Sequence, residues 1–131
     1  MTAPTLQSLV LIVEDNSKNV KLMRDVLQFH GYRTAEAMTA EDGLAIAFRE
    51  RPDLVLMDVR LPGMDGLAAL KLLHADPRTS SVPVVAVTAS VMPDERDRFS
   101  EAGFDGFIAK PIDIREFPRQ IAAFLTDASG R

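Results

Sequence analysis

The chain has 131 residues, 47% hydrophobic and 26% charged, with a formal net charge of −4, a pI near 5.1 and a mean hydropathy of +0.03. The acidic balance excludes a basic field for gripping DNA, RNA or an anionic membrane, and no apolar run approaches the length of a membrane span. The absence of cysteine removes disulfides and thiolate metal sites.

This length suits one domain with a real core. Residues 1–7 read as a loose N-terminal arm and 127–131 as a frayed C-terminal tail, leaving 8–126 as the folded unit with no output domain attached. The first seven residues lack the basic start and apolar body of a signal peptide, so a cytoplasmic location is expected.

In chain order, residues 9–13 (LVLIV) are an apolar run that stops on Glu14-Asp15. Asn16 or Ser17 can cap the helix that follows, whose apolar positions are Val20, Met23, Val26 and Leu27 and whose stop signal is Gly31. Residues 32–37 form a shorter, more polar strand. Thr39 caps a helix over 40–51 with Glu41 and Asp42 in its first turn, where the dipole favours acids. Residues 54–58 (LVLMD) are four large hydrophobes closed by an acid, the pattern of a strand buried on both faces. Asp58 cannot enter that core unpaired, so it must emerge at the carboxyl edge of a sheet.

A loop with Pro62 and Gly63 leads to a helix over 65–75, with Leu67, Leu70 and Leu73 as its core stripe. Residues 82–87 (VPVVAV) form a fourth strand with Pro83 confined to its start, running into Thr88-Ala89-Ser90. Pro93 suits the first turn of a helix ending at Gly103. Residues 104–109 form a fifth strand ending in Lys110-Pro111. Asp113 and Glu116 have capping-box spacing for a last helix to about residue 126, where Pro118 sits awkwardly and implies a tight or kinked first turn. The alternation predicts an α/β fold, a (βα)5 doubly wound parallel five-stranded sheet.

Strands one, three, four and five end in Glu14-Asp15, Asp58, Thr88 and Lys110, whereas strand two ends in nothing comparable. A 3-2-1-4-5 order would put the silent strand between the acids and hold them about 10 Å apart. The order 2-1-3-4-5 makes the polar tips contiguous and builds one site. Clustered carboxylates with no thiolate or paired histidine call for a hard divalent cation, most simply Mg2+. With an ammonium and a hydroxyl beside it, Asp58 has the surroundings of a phosphoryl-accepting nucleophile.

Four motifs carry a family resemblance: VEDN at 13–16, LMDVRLPGMDG at 56–66, VTAS at 87–90 and FIAKP at 107–111. Together they resemble the response-regulator receiver domain, the CheY-like, flavodoxin-like fold of two-component signalling. In detail the chain looks like single-domain regulators of the DivK type, and like receivers attached to hybrid kinases. The resemblance implies that Asp58 accepts phosphate from a phosphohistidine on a sensor histidine kinase or histidine phosphotransfer protein. It implies Mg2+ held by Asp15, Asp58 and the main-chain carbonyl of Arg60, with Glu14 acting through water. Thr88 and Lys110 would contact the phosphoryl oxygens, and Lys110-Pro111 would be a cis peptide. Thr88 and Phe107 would form the switch, and Arg60 and Ser90 would set phosphate lifetime. The surface of the fourth helix, fifth strand and fifth helix would then bind a downstream protein in trans, or the phosphate would be relayed. The chain would be a phospho-acceptor and not an enzyme acting on other substrates.

Other classes fit less well. A phosphohydrolase resembling the haloacid dehalogenase group would carry its nucleophile after the first strand and a second Asp two residues on; here the acid follows the third strand and Arg60 holds that position. A flavodoxin-like electron carrier would need glycine and Ser/Thr where this chain has Glu14-Asp15-Asn16. A scaffold whose phosphorylation is incidental would keep its partner affinity in Asp58→Asn. His30 and His74, on different predicted helices, have no paired role.

Overall fold

The apolar runs become strands because they have nowhere else to hide. In the computed structural model, which describes residues 8–89 and 92–129, β1 (Leu9–Val13), β3 (Leu54–Asp58) and β4 (Val84–Thr88) are buried at every position. With β2 (Arg33–Ala37) and β5 (Gly106–Ala109) they form a parallel sheet in the order β2-β1-β3-β4-β5. Alternate residues serve opposite faces. Leu11, Val13, Val55 and Met57 pack under α2 (Ala40–Glu50), α3 (Gly66–Ala75) and α4 (Pro93–Ala102), while Val10, Ile12, Leu54 and Leu56 face α1 (Ser17–Phe29) and α5 (Glu116–Ser129). Each such side chain, taken out of water, contributes roughly 1.5–3 kcal/mol.

The polar second strand is an edge, held to α1 by side chains. Arg24 donates through Nη1 to both carboxylate oxygens of Glu36 (3.1 and 3.0 Å), and Gln28 donates to Thr34 (2.9 Å). Helix starts follow their caps. Asn16 Oδ1 accepts from the N–H groups of Lys18 and Asn19, Thr39 Oγ1 from Asp42, and Asp65 Oδ1 from Ala68. Helix ends use the left-handed region at Arg51 (φ 48°) and Gly103 (φ 113°).

Several boundaries differ from expectation, each for a local reason. The fourth strand is Val84–Thr88 rather than 82–87, because Pro83 has no N–H to give; only its carbonyl joins the ladder, accepting from Val55 at 3.0 Å. The fifth begins at Gly106, since Phe104 donates back to the Phe99 carbonyl (3.2 Å) in the turn that ends α4. The second helix stops one residue early, where Arg51 turns left-handed. The last helix runs to Ser129 instead of about 126, with no glycine or proline after Pro118 to stop it before Gly130. Pro118 is tolerated because Asp113 caps ahead of it, its Oδ1 accepting from Arg115 and Glu116 (2.9 and 3.3 Å) and its carbonyl from Phe117 (2.9 Å). Of the predicted α3 stripe, Leu70 and Leu73 are buried and Leu67 is partly so.

The amino edge of the sheet has its own bracing. Asp53 accepts from the Leu9 N–H (2.7 Å) and Asp105 from the Val84 N–H (2.8 Å), so the residue before one strand pins the start of its neighbour. The polar strand tips lie at the opposite, carboxyl edge, where open α/β sheets place their ligands.

Candidate functional site

Glu14 follows β1, where its N–H donates to the Ala37 carbonyl at 3.0 Å. Its side chain is only 1% exposed. Oε2 accepts from the Asn16 N–H (3.2 Å). Oε1 lies 2.9 Å from Lys110 Nζ, a contact of charge rather than a well-directed hydrogen bond, and has no hydrogen-bond partner among the described residues. Burial pushes the Glu14 carboxyl above its ordinary range; Lys110 draws it back and the Asp58 carboxylate pushes it up again.

Asp58 ends β3 and is 5% exposed. Oδ1 accepts from the Arg60 N–H at 2.9 Å, and Oδ2 accepts from Lys110 Nζ at 3.1 Å. Lys110 is placed by β5: its N–H donates to the Thr88 carbonyl (2.9 Å), and the peptide to Pro111 is cis. Burial alone would lower the Lys110 ammonium, but Glu14 and Asp58 together outweigh it and hold its pKa above the usual lysine value.

Asp15 is exposed, yet a carboxylate oxygen from each of Glu14, Asp15 and Asp58 falls within 4.8 Å of the others. Three acids against one ammonium leave an excess of negative charge. The donor set is all oxygen, and Glu14 Oε1 lacks a directed partner. These residues fit a hard divalent cation. Thr88 is buried at the end of β4, and the ladders pair Asp58 with Val87 and Thr88 with Ala109, so its position adjoins the acid.

The structure thus brings Glu14, Asp15, Asp58, Thr88 and Lys110 to one edge. Phe107 sits on β5, half-buried, with its ring 6.1 Å from that of Phe99 and the Arg96 guanidinium 5.4 Å from its centre. Arg60 extends outward, and Ser90 lies outside the described residues. Sequence reasoning passed over Glu95, whose Oε2 is 3.7 Å from Arg60 Nη2. Its place in the first turn of α4 follows from Pro93, but nothing local says that this turn overhangs the loop after Asp58. A groove of about 860 Å³ lies elsewhere, between α1 and α2 with Val20, Arg24 and Ile46 in its wall. Its lining contains neither Asp58 nor Lys110, and the chemistry does not follow its size. Among the described residues no helix is long and apolar enough to cross a membrane.

Residues 10–122 match the family described as the response regulator receiver domain. The polar-differentiation response regulator DivK of Brucella anthropi is 40% identical over 119 residues, spanning 91% of this chain and 97% of that protein. The receiver domain of the sensor histidine kinase PA1611 from Pseudomonas aeruginosa, solved with a magnesium ion coordinated in its active-site cleft, superposes with a TM-score of 0.84 at 31% identity, covering 92% of this chain and 98% of that one. The chemotaxis protein CheY4 of Vibrio cholerae shares the fold, with a TM-score of 0.86 at 23% identity over 90% of this chain and 98% of its own.

Proposed function

The chain belongs to the response regulator receiver domain family, and from that premise we propose that Asp58 accepts a phosphoryl group from a phosphohistidine, on a sensor histidine kinase or a histidine phosphotransfer protein. The observation that carries this reading is the single Lys110 ammonium lodged between Asp58 (3.1 Å) and Glu14 (2.9 Å) at the mouth of the acid cluster. A carboxylate so held is aimed, and taken out of water beside the ammonium that can follow the phosphoryl charge.

In the transfer, a carboxylate oxygen of Asp58 bonds to phosphorus while the phosphorus–nitrogen bond of the donor breaks, its electron pair staying on the imidazole. Lys110 follows the charge that develops on the phosphoryl oxygens, and the Thr88 hydroxyl supplies a donor beside it. The Arg60 N–H holds the other Asp58 oxygen in place. Asp15, Asp58 and the Arg60 carbonyl would hold Mg2+, with Glu14 acting through a water; when bound, the ion neutralises the acids that would otherwise repel an incoming phosphate. Glu14 keeps the lysine forward when no phosphate is present.

The output is a population shift. Thr88 moves toward the phosphoryl group and Phe107 turns inward. The surface of α4, β5 and α5 then alters for a protein partner in trans, or the phosphate passes to a second acceptor. This work would take place in the cytoplasm, where such donors present their phosphohistidine, and it makes the chain a signalling acceptor rather than an enzyme acting on other substrates. Arg60 and Ser90 would govern how long the phosphate lasts.

Titration with beryllofluoride and Mg2+, followed by amide NMR, tests the reading. The expected result is saturable shifts at Thr88, Phe107 and Lys110 that vanish in Asp58→Asn. Shifts that persist in Asp58→Asn, or none in the wild type, would sink it.

A further inference from the structure

Arg60 is anchored at both ends to different parts of the site. Its N–H donates to Asp58 Oδ1 at 2.9 Å, so its backbone is tied to the acceptor itself. Its guanidinium, on a side chain 73% exposed, reaches away to Glu95 in the first turn of α4, with Nη2 3.7 Å from Oε2. Glu95 is the better fixed of the two at 24% exposure, and Arg98 one turn on adds a second cation 3.9 Å away. The next residue, Arg96, lies over the ring of Phe107. One turn of α4 therefore touches both the loop after the acceptor and the aromatic on β5.

We propose that Glu95 is a positioning residue that competes with the phosphoryl group for the Arg60 guanidinium. The proposal rests on the receiver reading above. A guanidinium on a flexible stem serves one anion well at a time, and a phosphoryl group offers more charge than the Glu95 carboxylate, which meets Arg60 through a single 3.7 Å contact. With Asp58 unmodified, Arg60 spends its charge on α4. With a phosphoryl group on Asp58, the guanidinium is drawn back over the cleft and Glu95 loses this contact while keeping Arg98. Coupling is reciprocal: the interaction that lowers phosphoryl affinity when Glu95 is present is the one phosphate breaks to loosen α4. Partly exposed pairs of this kind are modest, so the expected effect is about twofold to fivefold in affinity.

The test is a set of beryllofluoride titrations at saturating Mg2+ on the wild type, Glu95→Gln, Arg60→Gln and the double variant, with Mg2+ midpoints measured separately. Glu95→Gln lowers the beryllofluoride midpoint about twofold to fivefold and leaves its Mg2+ midpoint unmoved. In the Arg60→Gln background the same substitution does nothing, a dependence that a merely structural role for Glu95 would not produce. A wild type that ignores beryllofluoride overturns the receiver reading and the proposal with it. A wild type that responds, but with the same midpoint in Glu95→Gln, overturns the proposal alone. So does a Glu95 effect that survives undiminished without Arg60.

Discussion

Lys110 reaches Asp58 across 52 residues of sequence, its Nζ 3.1 Å from Oδ2, and the same ammonium sits 2.9 Å from Glu14. Removing its charge while keeping its stem, as in Lys110→Met, leaves two buried acids facing each other. The expected loss is on the order of 2–3 kcal/mol, short of the full cost of orphaning an enclosed charge because the side chain is 18% exposed. Urea unfolding without divalent cation measures it. Adding Mg2+ should recover part of the loss, because a divalent cation screens the same repulsion. An unchanged urea midpoint would show that the ammonium does not hold this position in solution.

Glu14 should make the unliganded protein less stable as the solution becomes less acid. Its folded-state pKa is raised above 4.5 chiefly by burial, so the unfolded chain gives up this proton first as pH rises. The contribution is therefore fully present below about 4.5 and is lost as pH climbs through the folded value. Glu14→Gln cannot ionise and escapes this loss. Its stability relative to wild type should increase between pH 4 and pH 7, the net raised pKa meaning that a neutral group suits the site better than the anion even with Lys110 present. Unfolding midpoints across that range, measured without Mg2+, decide it. A flat difference would refute the assignment.

Gly66 opens α3 directly against the acceptor strand. A Cβ there would stand 2.7 Å from the Asp58 carbonyl oxygen and 2.9 Å from Val59 Cα, both backbone atoms that cannot swing aside. Gly66→Ala should cost about 1–3 kcal/mol through overpacking. It should also weaken the beryllofluoride response, since relief requires the tip of β3 to move. A variant of wild-type stability would mean that α3 can slide away freely.

The fold was largely legible because its signals are strong and local. Residues 10–13, 54–57 and 84–87 are too apolar to lie anywhere but mid-sheet, and Asn16, Thr39 and Gly103 punctuate the helices as their chemistry requires, whereas Asp65, read as the first residue of its helix, is the cap ahead of it. The strand order followed from asking which arrangement unites Glu14, Asp15, Asp58, Thr88 and Lys110. What could not be read depends on how separate elements meet. Nothing near Asp53 or Asp105 announces that each braces the first N–H of a neighbouring strand. Thr79 looks like one more loop hydroxyl, yet it is buried and donates to the Leu73 carbonyl at 2.6 Å. His74, with no visible role in the sequence, packs over Gly103, where a Cβ would come within 2.7 Å of its ring. Such contacts are set by packing angles that a linear pattern does not encode.

Asp76 supplies a final prediction, remote from the acid cluster. Arg78 donates to it through Nε (3.0 Å to Oδ1) and Nη2 (2.7 Å to Oδ2), and the Arg78 N–H adds a third bond at 2.8 Å. This guanidinium beside Asp76 holds the carboxyl down at about 2, while its other face lies 4.6 Å from the centre of the Phe48 ring on α2. A depressed acid adds stability above its unfolded pKa near 3.8 and loses it as pH falls through about 2. The pair is exposed, so its titration rather than the melting temperature is the informative quantity. Carboxyl-detected NMR should give a midpoint near 2 for Asp76 in the wild type. In Arg78→Ala the backbone N–H remains and the guanidinium does not, so the midpoint should climb most of the way back toward an ordinary aspartate near 3.9. An ordinary midpoint in the wild type would mean that the two-pronged geometry does not persist in solution, and that Arg78 packs on Phe48 without reaching Asp76.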